Sequence, residues 1–259
     1  ATGAAAQYGD NGMPLTTMIA LVATMVATAF LSGIFGMAGG LVLIGVLFLV
    51  LPLPDAMALH AVTQMASNGW RGVLWINHVS WRAVAAYLGG CLIAFIAWSL
   101  VRYVPDKATA LLALGLTPFL VRLVPANLKP DPQNFLHGGI FGAICMTLML
   151  LTGVTGPILD TYFLGGGLER RQIIATKAIC QVFGHGAKFI YFGGLVAGAA
   201  SLDPLMAALA VAASIAGTTA AKPVLERLTD TQYRTWTTHI ITVIAGFYVL
   251  QGLWLVVRG

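Results

Sequence analysis

HAVTQMASNGWRG, residues 60–72, sets a polar ladder into an otherwise apolar chain. His60, Gln64, Asn68 and Arg71 follow one another at steps of four, four and three. On an α-helix those steps keep the side chains on one face. A second stretch, KAICQVFGHGAKF at 177–189, repeats the pattern with Lys177, Gln181, His185 and Lys188. The two register at an offset of 117 residues without a gap, so that Gln64 falls on Gln181, Asn68 on His185 and Arg71 on Lys188. The same offset lays Gly36 on Gly153 and Gly39 on Gly156, and we read it as an internal duplication.

The surroundings of the ladders fix the solvent. Hydrophobic residues make up 58% of the chain and charged residues 9%, with a mean hydropathy of +0.86. Soluble domains carry roughly 25% charge, so this chain cannot clothe a water-facing surface, and the bilayer is the environment that fits. Apolar runs fall at 15–34, 38–51, 57–77, 82–103, 105–123, 134–152, 157–167, 171–192, 203–222 and 233–257. The expectation is an all-α integral membrane protein, an inverted-repeat helical bundle of about eight to ten membrane segments. Its organisation reads as an N-terminal tail at 1–14, a first repeat at 15–124, an inter-repeat loop at 125–133 and a second repeat at 134–257. The tail has no Lys or Arg, unlike the positive start of a secretory signal.

The runs at 38–51 and 157–167 are too short to cross a hydrocarbon core of roughly 30 Å. Each follows a glycine-rich break, GIFGMAGG at 33–40 and GVTGP at 153–157. Paired short segments at Gly/Pro interruptions are the sequence mark of a transporter's binding site. With the N-terminus outside, Arg82, Arg122, Lys129, Arg170, Arg171, Lys222, Arg227 and Arg234 fall inside, and Arg102, Lys107 and Arg258 outside. Five runs per half is an odd number, so the halves point in opposite directions.

Arg71, Lys177 and Lys188 remain within the membrane. A cation at the bilayer centre costs about 2.5–3.5 kcal/mol on insertion scales, so the ladders face the protein interior. An excess of embedded positive charge favours a small anionic cargo, with backbone N–H groups at the broken-helix ends adding to the attraction. The expected binding set is Arg71, Gln64, Asn68, Gln181, His185, Lys188 and Lys177, with backbone approach at Gly36, Gly39, Gly40, Gly153, Gly156 and Pro157. Asp160 or His185 would couple a proton or another ion. The plainer alternatives are an ion pair of Asp160 with Lys177 or Arg171, interfacial anchoring of Arg71, Lys177 and Lys188, and inter-helix hydrogen bonds for the two glutamines.

Other classes find little support. The net charge of +5 is scattered rather than clustered, which argues against a nucleic-acid partner. Cys91, Cys145 and Cys180 lie in apolar runs without metal-ligand spacing and read as buried thiols. There is no phosphate-binding G-x-x-x-x-G-K-[ST], no G-x-S-x-G and no H-E-x-x-H. Neither a cofactor nor an enzyme is expected.

Two longer stretches carry a family resemblance. GIFGMAGGLVLIGVLF at 33–48 with PDAMALHAVTQMASN at 54–68 resembles the first repeat of the TauE/SafE sulfite exporters, and LTGVTGPILDTYFLGGGLERRQIIAT at 151–176 resembles the second. The likeness spans about 15–257, and Gly36, Gly39, Gly40, Gly153, Gly156 and Pro157 map onto the two signature breaks. Where the first signature often has three glycines, this chain has Ala38-Gly39-Gly40. The resemblance implies a multi-pass carrier of the bacterial inner membrane for sulfite, sulfonates or similar anions. An anion channel with the same lining is the alternative, and a membrane receptor or enzyme a more distant one.

Overall fold

The computed structural model describes residues 14–35, 38–123, 130–164, 167–196, 198 and 200–258. Most of the expected tail, Gly36 and Lys129 lie outside the described residues. Ten α-helices follow in order: α1 Leu15–Phe35, α2 Ala38–Val50, α3 Leu53–Leu74, α4 Trp81–Val101, α5 Lys107–Arg122, α6 Phe135–Thr152, α7 Gly156–Leu164, α8 Arg170–Ile190, α9 Pro204–Arg227 and α10 Asp230–Arg258. A 3₁₀ turn, Ile76–His78, follows α3, and a π turn, Tyr191–Leu195, continues α8. Among the described residues there is no strand. The chain is an all-α multi-pass membrane protein.

Helix ends are set by local chemistry. Asp106 caps α5 by accepting the Thr109 N–H at 2.9 Å, and Asn134 caps α6 by accepting from Leu136 and His137. Glu169 and Gln172 form a capping box at the start of α8. Pro52 and Pro54 stand at the start of α3, where their missing N–H groups cost nothing.

Among the described residues five helices, α1, α4, α6 and the greater parts of α9 and α10, are long and apolar enough to cross a membrane. Their lipid-facing sides stay uncovered: Ile93 and Leu100 on α4, and Val243, Leu250 and Val257 on α10, are well exposed. By contrast α3 and α8 have the length, 22 and 21 residues, but carry the polar ladders and sit centrally against each other. The half-helices are short: α2 with 13 residues and α7 with nine rise about 20 and 14 Å.

The packing is reciprocal. Helix α1 pairs with α9 and α4 with α6, while α3 pairs with α8 and α5 with α10. Exchanging each of the first five helices for its counterpart in the second five returns the same pairs. Close backbone approach makes the lateral pairs possible. A Cβ on Gly142 of α6 would stand 2.0 Å from the Tyr87 carbonyl of α4. Without a hydrophobic force between helices in lipid, such small-residue contacts supply the packing.

Candidate functional site

The two breaks bring the amino ends of α2 and α7 to one cavity between α3 and α8. It measures about 10 Å³ and is lined by Gly40, Leu41, Gln64, Val154, Thr155, Gly156, Gln181 and His185. That volume holds about one water molecule. Each half-helix contributes its first turn, where N–H groups have no intrahelical acceptor and the helix dipole is positive. Each long helix contributes the glutamine of its ladder.

Local sequence explains both amino ends. Gly153 caps α6 in the left-handed region at φ +85°, its N–H donating to Met149 O at 3.0 Å. A side chain there would also meet Met57 Sδ at 2.9 Å. The Thr152 hydroxyl donates to the Val154 carbonyl at 2.8 Å and tightens the turn. Thr155 then precedes α7, its carbonyl accepting the Leu159 N–H at 3.0 Å. On the other side, Gly39 lets α2 lie on α1, since a Cβ there would stand 1.8 Å from the Thr28 carbonyl. Gly40 faces Gln64, whose Oε1 would be 3.1 Å from an added Cβ. The far end of α2 receives Lys107, whose Nζ donates to Phe48 O at 2.8 Å. A cation at that end complements the dipole.

Directly behind the cavity wall lies Lys188, a fully buried lysine (0% exposed). Its Nζ is 2.7 Å from His60 Nδ1 and donates to Gly153 O at 2.9 Å. A lysine nitrogen donating to Nδ1 leaves the imidazole hydrogen on Nε2, which donates to Gly40 O at 3.0 Å. One chain of hydrogen bonds therefore joins α8, α3, α2 and the break before α7. Lys188 meets no carboxylate among the described residues. His185, one turn back, packs its ring 5.5 Å from that of His60. Its Nδ1 and the Thr155 hydroxyl are buried with no partner among the described residues. Both residues line the cavity. Leaving such atoms unpaired costs about 1–3 kcal/mol each, a cost a polar occupant would remove.

The structure separates the remaining expected residues from this cavity. Asn68 is buried but spends its amide on the Gln64 carbonyl of its own helix, at 2.9 Å. Arg71 donates to Ser32 O on α1 at 3.1 Å. Lys177 forms an ion pair with Asp160. Arg171 lies instead over the Trp75 ring, at 5.7 Å. Asp160 and Pro157 line a second, more open cavity of about 190 Å³ between α5, α7 and α10. Gly36 lies outside the described residues. Two participants went unselected in the sequence: Thr155, a small hydroxyl hidden in a glycine-rich break, and His60, which begins the first ladder and was available as a member of it.

A family model described as sulfite exporter TauE/SafE matches residues 20–248. No curated protein and no solved structure matches the chain.

Proposed function

We propose, for a chain that belongs to the sulfite exporter TauE/SafE family, that it is a secondary transporter moving a small sulfur oxyanion across the bacterial inner membrane by alternating access. Membership of that family makes it a membrane transport protein. The reading rests above all on Lys188. A buried lysine that meets no carboxylate among the described residues stands beside two converging half-helix amino ends, and an anion is the species that completes this arrangement when the lysine is protonated. The Thr155 hydroxyl, Gln64, Gln181, His185 and the N–H groups at Gly40 and Gly156 serve as hydrogen-bond partners. Lys188 supplies positive charge from one layer behind, through His60 and the Gly153 carbonyl.

The cavity has room for about one water molecule, so a sulfite ion enters only when α3 and α8 separate. The reciprocal helix pairs support two oppositely oriented repeats, 15–124 and 134–257, rocking about that crossing.

Proteoliposomes test this. Saturable sulfite uptake that speeds up when unlabelled sulfite is present on the far side is the expected result. Ohmic sulfite conductance with no such acceleration overturns the carrier reading in favour of a channel. Absence of any sulfite, sulfonate or thiosulfate movement overturns the transport of sulfur oxyanions altogether.

A further inference from the structure

We infer that Lys188 carries the coupled proton, taking it up together with the anion and releasing it when the anion leaves. This rests on the transport reading above and adds to it the identity of the coupling group.

Hydrogen-bond counting at Nζ carries the argument. Two acceptors surround the nitrogen, His60 Nδ1 and Gly153 O. A neutral amine has two hydrogens and satisfies both. An ammonium has a third, with no further acceptor among the described residues. An isolated ammonium buried away from water is the costly state, and lysine is the basic side chain that sheds its proton under such conditions. The loaded site differs: an anion in the cavity supplies the missing opposite charge. Loading is therefore Lys–NH₂ + H⁺ + anion → Lys–NH₃⁺···anion, and unloading is its reverse. For a sulfite dianion, the loaded site holds the elements of bisulfite on separate atoms.

The neighbours support this assignment over Asp160. His60 from α3 stands 2.7 Å from the Lys188 nitrogen, and His185, one turn back on α8, packs against that imidazole. Among the described residues, α2 and the break contribute to this chain the neutral Gly40 carbonyl, bonded to His60, and the Gly153 carbonyl, bonded to Lys188. On α7, Asp160 is already paired with Lys177 and borders the other cavity. At the start of α3, Asp55 accepts from the Ser201 N–H, and Arg71 near the far end is held by Ser32. In the π turn, the Tyr191 hydroxyl donates to the Tyr103 carbonyl. From α4, Cys91 donates to Gly142 O, and Cys145 on α6 is buried beside Tyr87.

The test separates net movement from exchange in proteoliposomes, with sulfite as the probe and a trapped pH dye. Exchange at equal sulfite on both sides never requires the empty site to reorient; net flux does. In the wild type, an imposed pH gradient drives sulfite uphill with one proton per anion. Lys188→Arg keeps the charge but cannot release the proton, so the ratio of net flux to exchange falls at least tenfold. Asp160→Asn leaves that ratio as in the wild type. The inference is overturned if Lys188→Arg retains the wild-type ratio and proton stoichiometry, or if Asp160→Asn collapses the ratio. Should the arginine variant fail to insert, the wild type alone decides: sulfite flux with no accompanying proton overturns the coupling and leaves the transport reading intact. No sulfite movement in either mode defeats the transport reading itself.

Discussion

Lys188 Nζ and His60 Nδ1 stand 2.7 Å apart across 128 positions of sequence, joining the two ladder helices inside the bundle. Neither side chain has any measurable exposure. The contact converts two separate polar stripes into one wired site, because His60 passes the link on to Gly40 at the amino end of α2.

Replacing that relay tests its reach. In His60→Leu, Lys188 loses one acceptor and the Gly40 carbonyl its donor. Losing a buried charged hydrogen bond costs about 1.5–3 kcal/mol. We expect sulfite affinity to fall about tenfold or more, while His60→Gln, which can donate and accept, recovers part of it. Affinity is read from the sulfite-induced rise in thermal transition. Wild-type affinity in the leucine variant would remove His60 from the site.

Thr155 gives a prediction with opposite signs for stability and binding. Its hydroxyl is buried and unpaired, so Thr155→Val leaves the empty protein as stable as the wild type or slightly more so. The same change removes a donor from the cavity and weakens sulfite binding about tenfold. A large fall in thermal transition without sulfite would show that the hydroxyl serves the fold instead.

Neighbouring glycines on α2 should fail in different ways. Gly39→Ala drives a Cβ into the Thr28 carbonyl and lowers thermal stability, since backbone cannot give way cheaply. Gly40→Val reaches into the cavity beside Gln64 and blocks transport with a smaller loss of stability. Paired thermal-shift and flux measurements check both. The reverse assignment would mean that Gly40, rather than Gly39, sets the seat of α2 on α1.

At the water-facing start of α5, the Thr109 hydroxyl and N–H hold the Asp106 carboxyl below the usual carboxylate range. A depressed acid contributes stability above its unfolded pKa of about 3.9 and loses it as pH falls through the folded value. Asp106→Ala should cost roughly 0.5–2 kcal/mol near neutrality. That difference should shrink as pH falls below the unfolded value and through the folded one, as followed by denaturant unfolding in detergent. A cost unchanged between neutral and acid pH would show that the carboxylate is not the cap.

Much of this architecture was legible because lipid imposes simple rules. Apolar length marks a crossing, a glycine-rich gap marks a broken one, and a stripe at steps of four and three must turn inward. All ten helices lie close to the apolar runs, and Gln64 and Gln181 line one cavity. What spacing could not specify was the partner of each cation. Arg71 and Lys188 occupy matching rungs, yet one is spent on a carbonyl of α1 and the other is sealed against an imidazole. The difference lies in what each rung meets across the bundle, and a helical face says nothing of that. Thr155 escaped notice for a related reason: a hydroxyl among glycines looks like turn chemistry until its lack of a partner is visible in three dimensions.

With room for a single water where the half-helices meet, the resting molecule is a shut lock rather than a waiting cup. On the alternating-access reading proposed above, each turnover begins by parting that seam, so the work of opening it bears on how fast cargo passes.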